Sequence, residues 1–438
     1  MVWTGNSTDN RVIPVGFAAD LTWFKQRTGT NWHALLDTVR GNSNPNRLSS
    51  NVTNAAGDWT GIFKGHTSTG FTVGTDTAVN ANSNTYVAWN WKAGGTAPVK
   101  TYVVKVVSDS GNKYRFDDFA ASAQTVDLQE GGTYTFDQSD SSNSNHPLRF
   151  STTSNGTHGG GSEYTTGVTT NGTPGSSGAY TKITVAASTA TLYYYCTNHS
   201  NMGGQANTNS THGSSYFDGT IKSKVSANQA AGFSIATWTS DGSNAGTIPH
   251  GLGVAPEIVI YKTISQVARW YVFINGLIDG SIDYMHLDDV IVKQNSLSQW
   301  GAPTSSMISN IGFGNTQPLV SYNFVSKPGF SKMGIYTGNG SADGPFVNCG
   351  FRPAWVMYKE TTTVADWGIR DNKRDPDNVS NTALYANLNI AEGSTSLTFD
   401  MLSNGFKIRS SHADINGSSG TYLFMAFAES PFKYASAR

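Results

Sequence analysis

One unit of sequence occurs three times, and this repetition narrows what the chain can fold into more than any other feature. Near Trp3 the chain reads WTGNSTDNRVIPVGFAADLTWFKQRTGTNWHAL. Near Trp238 it reads WTSDGSNAGTIPHGLGVAPEIVIYKTISQVARWYV, and near Tyr336 YTGNGSADGPFVNCGFRPAWVMYKETTTVADWGI. Each copy has an opening aromatic followed by Thr, a Gly/Asn/Asp turn, a Gly corner and an apolar run ending in Lys. From opening aromatic to Lys25, Lys262 and Lys359 the distances are 22, 24 and 23 positions. A Trp follows each Lys by seven or eight positions, at Trp32, Trp270 and Trp367. Each copy closes on a run of aromatic and small residues, YVAWNW to Trp91, LVSYNF to Phe324 and YLFMAF to Phe427. Length differences of a few residues between copies are what loops absorb.

The local pattern is that of β-structure. LTWFK, IVIYK and WVMYK are short core-lining strands rich in β-branched and aromatic residues. TGFTVG, ISNIGFG and SNGFKI are Gly-marked late strands, and the closing runs alternate as half-buried strands do. Asn-Gly, Asp-Gly and Gly-Ser pairs punctuate the intervals. The fold class expected is all-β, with three related tandem β-sandwich units at 1–96, 227–328 and 329–438, separated after the first by a different domain at 97–226. Charged residues make up only 13% of the chain, so hydroxyls and amides solvate the surface and long helices are disfavoured. The one helix candidate of note is Trp32–Arg40, WHALLDTVR.

The repeat also weighs single residues. Cys349 corresponds to Val15 and His250 in the other copies, so it reads as a strand end rather than a ligand. The three lysines read as strand-end side chains laid over the sheet with their charges in solvent, and the three tryptophans as core or interface.

The segment from about 101 to 226 does not fit the repeat and carries the most chemistry. Cys196, His199 and Met202 form C-x2-H-x2-M at a strand end and its loop, and His146 lies far upstream in Asn145-His146-Pro147-Leu148. A thiolate, two imidazoles and a thioether are the donor set of a blue-copper centre, with Met as the weak axial ligand. Tyr193, Tyr194 and Tyr195 would keep water from it. This arrangement resembles the cupredoxins of the plastocyanin and amicyanin type, over about 105 residues from near Thr101 to near Gly204. The resemblance implies a Greek-key β-sandwich and one copper held by His146, Cys196, His199 and Met202. Two departures stand out: 50 positions separate His146 from Cys196, and Pro147 follows the first histidine instead of preceding it.

Other chemistry is not signalled. No phosphate loop, nucleophile elbow or H-E-x-x-H is present. The adjacent pairs Asp117-Asp118 and Asp288-Asp289 point to opposite faces of a strand and make poor acid–base pairs. Asp371 to Asp377 reads as a solvated turn, and His158 in THGGGSE as an exposed loop residue. The chain is therefore read as a non-enzyme. Net charge is −1 without a basic stripe, which argues against nucleic acid. No apolar run reaches the ~20 residues of a membrane helix. The N-terminal residues lack the pattern of a signal peptide.

TGNGSADGPFVNCGFRPAWVMYK, GTIPHGLGVAPEIVIYK, YVAWNWKAGG and FMAFAESPFKYASAR resemble units of virion structural and tail-fibre-like proteins of tailed, particularly marine, phages. The resemblance spans nearly the whole chain and includes the inserted SNHPLRF…YYYCTNHSNMGG module. It implies a virion component of tail-fibre, head-fibre or decoration type, assembled in the host cytoplasm. Its partners would be other virion proteins and a host-surface glycan or protein receptor. It also implies a homo-oligomer, with a trimer expected. A secreted carbohydrate-binding protein and a copper redox protein are the alternatives.

Overall fold

In a computed structural model the chain is described at residues 1–41, 46–57, 61–95, 97–243, 245–295, 301–309 and 315–430. Two stretches singled out from the sequence, residues 310–314 of ISNIGFG and 431–438 of the terminal motif, lie outside the described residues. The fold is all-β, and its one described α-helix is a single turn, Ala413–Asn416.

Each repeat builds the same inner sheet. An opening strand pairs with the closing strand, the closing strand with the lysine strand, and the lysine strand with the one that follows it. In the first repeat these are Val2–Thr4, Thr85–Trp91, Leu21–Gln26 and Ala34–Asp37. In the second they are Phe233–Thr239, Pro318–Phe324, Ile258–Thr263 and Tyr271–Asn275. In the third they are Ser331–Thr337, Thr421–Ala428, Pro353–Glu360 and Gly368–Asp371. The registers agree residue for residue, since Lys25, Lys262 and Lys359 oppose Val87, Val320 and Leu423. A smaller outer layer faces each inner sheet, such as the sheet of Arg11–Pro14, Gly70–Val73 and Phe63–Thr67 in the first repeat. Each sandwich has its own apolar filling.

The other faces of the inner sheets do not look outward. They converge on one shared core containing Trp23, Trp89 and Trp91 of the first repeat, Ile258, Ile260 and Trp270 of the second, and Trp355, Met357 and Trp367 of the third. The last aromatics of the closing strands meet at its centre. Ring centroids lie 6.4 Å apart for Trp91–Phe324, 5.7 Å for Trp91–Phe427 and 6.0 Å for Phe324–Phe427. The three units are thus arranged about a pseudo-threefold axis rather than strung as beads.

Hydrogen bonds across the joints repeat in the same sense. The Trp270 indole donates to the Ser49 carbonyl at 2.8 Å, and the Trp367 indole to the His286 carbonyl at 2.8 Å. His33 completes the set against the Tyr385 carbonyl at 3.0 Å. The backbone N–H groups of Ala56, Lys293 and Glu392 donate to Ile264, Thr361 and Arg27 at 2.7, 2.8 and 2.7 Å, each acceptor two residues after its repeat's lysine. The sequence expectation for the tryptophans is corrected here. Register makes His33, not Trp32, the counterpart of Trp270 and Trp367, and Trp32 is 38% exposed.

Three further expectations are overturned. The stretch read as a helix contains the strand Ala34–Asp37, all of it buried and paired with Leu21–Phe24. A short apolar run has no period of its own, and the neighbouring edge decided. The lysines do not reach solvent: Lys25, Lys262 and Lys359 are each 0% exposed. Each Nζ instead donates to backbone carbonyls: Lys25 to Gln26 at 2.8 Å and Gly29 at 2.9 Å, Lys262 to Thr263 at 3.0 Å and Gln266 at 3.2 Å, and Lys359 to Glu360 at 3.0 Å and to Val290 of the second repeat at 3.3 Å. Burial pushes all three down to about 8. Asp371 is no solvated turn residue. Its carboxylate is buried, accepts from the Trp89 indole at 3.0 Å and Arg374 Nε at 2.5 Å, and joins repeats one and three. Asp37 does the same between repeats one and two, accepting from Tyr322 at 2.9 Å and Arg40 Nε at 2.5 Å.

The inserted domain is a separate two-sheet sandwich. One sheet orders Val126–Gln129, Gly204–Asn209, Leu192–Cys196 and Leu148–Ser151. The other orders Val168–Asn171, Tyr180–Thr184, Thr133–Asp137, Val99–Ser108 and Asn112–Phe116. Aromatic rings fill the space between them, with Phe116–Tyr194 centroids at 5.0 Å and Phe136–Phe150 at 5.3 Å. The buried Asp20 of the first repeat holds His212 beyond its far end.

Candidate metal centre

The strand Leu192–Cys196 alternates, so Leu192, Tyr194 and Cys196 enter the sandwich core. Cys196 is its last residue and is 0% exposed. It opposes Leu148 on the neighbouring strand, which places His146, two residues before Leu148, beside it. Asn145, at a φ of 63°, turns the chain there, a conformation Asn tolerates. Asn198 Nδ2 donates to the Asn145 side chain at 2.8 Å and its carbonyl at 3.1 Å, tying the two ligand-bearing loops together.

The consequence is a compact donor cluster. Cys196 Sγ lies 3.9 Å from His146 Nδ1 and 3.7 Å from His199 Nδ1, and all three donor atoms fall within 4.8 Å of one another. Donors bound to one ion at about 2.0–2.3 Å lie roughly 3.5–4 Å apart, so the spacing and the soft, nitrogen-rich donor set fit a single ion. Among the described residues this is the one such group of histidine, cysteine and carboxylate donors. Met202 follows on the same loop, 1% exposed and within the same core cluster as Cys196. Next to it, a Cβ on Gly203 would sit 1.7 Å from the Tyr194 carbonyl, so only glycine lets the loop return this close.

Surrounding groups fix the first histidine. The Tyr114 hydroxyl donates to the His146 carbonyl at 2.9 Å and Gln138 Nε2 at 2.8 Å, while the His146 N–H donates to Asn143 at 2.8 Å. Burial, then the neighbouring His199, lowers the His146 pKa below the ordinary histidine value, which favours the neutral, ligating imidazole. Tyr194 and Tyr195 are both 1% exposed, on opposite faces of the strand. Sequence reasoning preferred an exposed loop for His158 over an approach to the metal. The loop is exposed, and Nε2 lies 3.1 Å from the Cys196 carbonyl. No spacing rule connects a Gly-rich loop to a strand end 38 residues away. Cys349 lies apart as a buried free thiol in the third sandwich, pushed up to about 12 by burial.

A family model described as Domain of unknown function (DUF7483) matches residues 1–115 and 135–431, taking in the three repeats and the four candidate ligand positions. No curated protein and no solved structure matches the chain.

Proposed function

The chain belongs to this family of unknown function, and we propose that it is a structural component of a phage particle whose inserted domain holds one copper ion. The observation that carries the copper reading is the pair of imidazole Nδ1 atoms at 3.9 and 3.7 Å from the Cys196 sulfur. His146, Cys196 and His199 would form the strong ligand set, with Met202 as the weak axial thioether. A copper ion so held would supply one-electron chemistry and a rigid crosslink between two loops. The residues around it favour the neutral form of His146, and Cys196 lies buried in a core cluster with Tyr114 and Tyr194.

The particle reading, of tail-fibre, head-fibre or decoration type, rests on the resemblance carried by the repeats. The interlocking of three sandwiches over one core supports it, because a stiff block suits a part that transmits force or spaces neighbours. Its partners would be other virion proteins and a host surface.

Two measurements test the proposal. Purified protein given Cu(II) should develop the strong visible absorption of a copper–thiolate bond, and Cys196→Ser should remove it. Colourless wild-type protein with no bound copper would overturn the metal reading. Mass spectrometry and immunogold imaging of purified particles should find the chain in the virion, and its absence there would overturn the structural reading.

A further inference from the structure

The axis of the three repeats ends in a pocket of about 550 Å³. Its walls come from all three copies and include Trp89, Trp91, Phe233, Phe330, Trp355 and Phe427. An apolar concavity of this size with a few polar groups on its walls has the character of a small-ligand site.

Two of its polar groups are unexplained by folding. Among the described residues, Trp355 Nε1 and Asn372 Oδ1 are buried without a hydrogen-bond partner, although the two residues are 5% exposed each. The other repeats act as internal controls. Trp355 opposes Phe427 as Leu21 opposes Trp91 and Ile258 opposes Phe324, so the same position takes aliphatic side chains elsewhere. Asn372 corresponds to Thr38 and Asn275, since their backbone N–H groups donate to Ala354, Asp20 and Glu257, the residues just before those three positions. The first-repeat counterpart is satisfied, since Thr38 donates to Asp20 Oδ1 at 2.8 Å, and in the second repeat Asn275 Nδ2 donates to the Pro256 carbonyl at 3.2 Å. Among the described residues, the third repeat is the copy with a buried orphan donor and a buried orphan acceptor at these two places. Leaving both groups buried and unpaired is unfavourable, and packing alone does not require it.

We propose that this pocket binds a saccharide through Trp355 and Asn372. Trp355 and Asn372 are neighbours in the third repeat, because Asn372 N–H is bonded to the Ala354 carbonyl at 3.0 Å, next to Trp355, and both line the pocket. Neighbouring sugar hydroxyls project from one edge of the ring, and each can accept or donate. One accepts from the indole N–H and the next donates to the amide oxygen. The apolar C–H face of a pyranose then meets the aromatic walls. Lys92 and Lys373 line the pocket and are exposed, offering donors to further hydroxyl or acidic groups of a longer chain. Use of the pocket in attachment rests on the particle reading, whereas the binding itself does not.

The test is isothermal titration of the full chain with the methyl glycosides of glucose, mannose, galactose and N-acetylglucosamine and with oligosaccharides of each. At least one series should bind saturably. Trp355→Leu and Asn372→Thr, which copy the first repeat, should each weaken that binding tenfold or more; because Trp355→Leu also removes ring volume from the shared core and lowers the melting temperature, binding is read well below the melting temperature of each variant. No binding by any of these sugars would overturn the proposal. So would binding that both variants leave intact, or binding of an acetyl-phenylalanyl-alanine amide peptide in their place. Because free sugars and purified chain are used, failure here leaves the particle assignment standing, and absence from the virion leaves the sugar site standing.

Discussion

His33 Nε2 and the Tyr385 carbonyl lie 3.0 Å apart across 352 residues of sequence, and their bond closes the ring that Trp270 and Trp367 leave open. Trp23 Nε1 donates to His33 Nδ1 at 2.8 Å, so the proton sits on Nε2 and the ring is neutral. Burial, and secondarily Lys25, lowers His33 to about 3. A histidine held below its unfolded value near 6.5 binds more protons when unfolded, so its stabilisation fades as pH falls from about 6.5 toward 3. His33→Gln, which keeps a donor for Tyr385 but does not titrate, should flatten this acid limb. Urea midpoints at several pH values check it, and a slope equal to wild type would refute the assignment.

The buried lysines predict the opposite limb. Lys25, Lys262 and Lys359 fall to about 8 through burial, with nearby carboxylates opposing the shift. Below pH 8 both states hold the proton and the buried charge weighs on the fold. Between about 8 and 10.4 the unfolded chain binds more protons, so stability should rise with pH. The gain should be on the order of 1–3 kcal/mol per lysine. A Lys262→Met variant should show about two thirds of the wild-type rise, and a flat profile in wild type would contradict the burial.

At the candidate metal centre, Met202→Leu should keep the copper–thiolate absorption and raise the reduction potential, because the axial thioether binds weakly. His146→Ala should weaken copper binding by well over tenfold. Unchanged affinity in His146→Ala, measured by competition with a chelator of known strength, would exclude His146 as a ligand.

Asp371 serves two repeats at once, accepting from Trp89 and Arg374 while Arg374 and Arg27 share Glu392 at 2.9 and 2.7 Å. Asp371→Ala removes one of the two carboxylates that hold Arg374 and leaves the buried Trp89 indole without its acceptor, and should cost about 1–3 kcal/mol. Denaturant unfolding measures it, and a loss under 1 kcal/mol would mean the network is dispensable.

Cys349→Val should change stability by less than ~1.5 kcal/mol, the range of a volume-conserving core swap, since Val15 fills the matching place. Thermal unfolding is the check, and a larger loss would show that the thiol is needed.

Much of this was legible in the sequence, and the rest was not for identifiable reasons. Spacing placed the three lysines and the closing aromatics, because pairing in register preserves counts along strands. It did not show that Trp91, Phe324 and Phe427 touch, because an apolar face does not announce what covers it. Indoles are conspicuous, so Trp32 drew the alignment one place away from His33, whose imidazole does the work of an indole N–H. The lysines looked solvated because a strand-end charge usually reaches water, and the backbone carbonyls that receive them, Val290 of another repeat among them, are set by the fold and not by local spacing. Cys196 and His199 were legible from a spacing that any β-strand and short loop enforces. His146 needed a neighbouring strand, and His158 a loop folding over.

An axis of symmetry housed inside one polypeptide changes the stoichiometry of assembly. A trimeric neighbour would ordinarily demand three copies to match it. Here a single chain brings three similar sandwiches about one axis by itself. The inserted sandwich occurs once, so it breaks that equivalence and marks one direction about the axis.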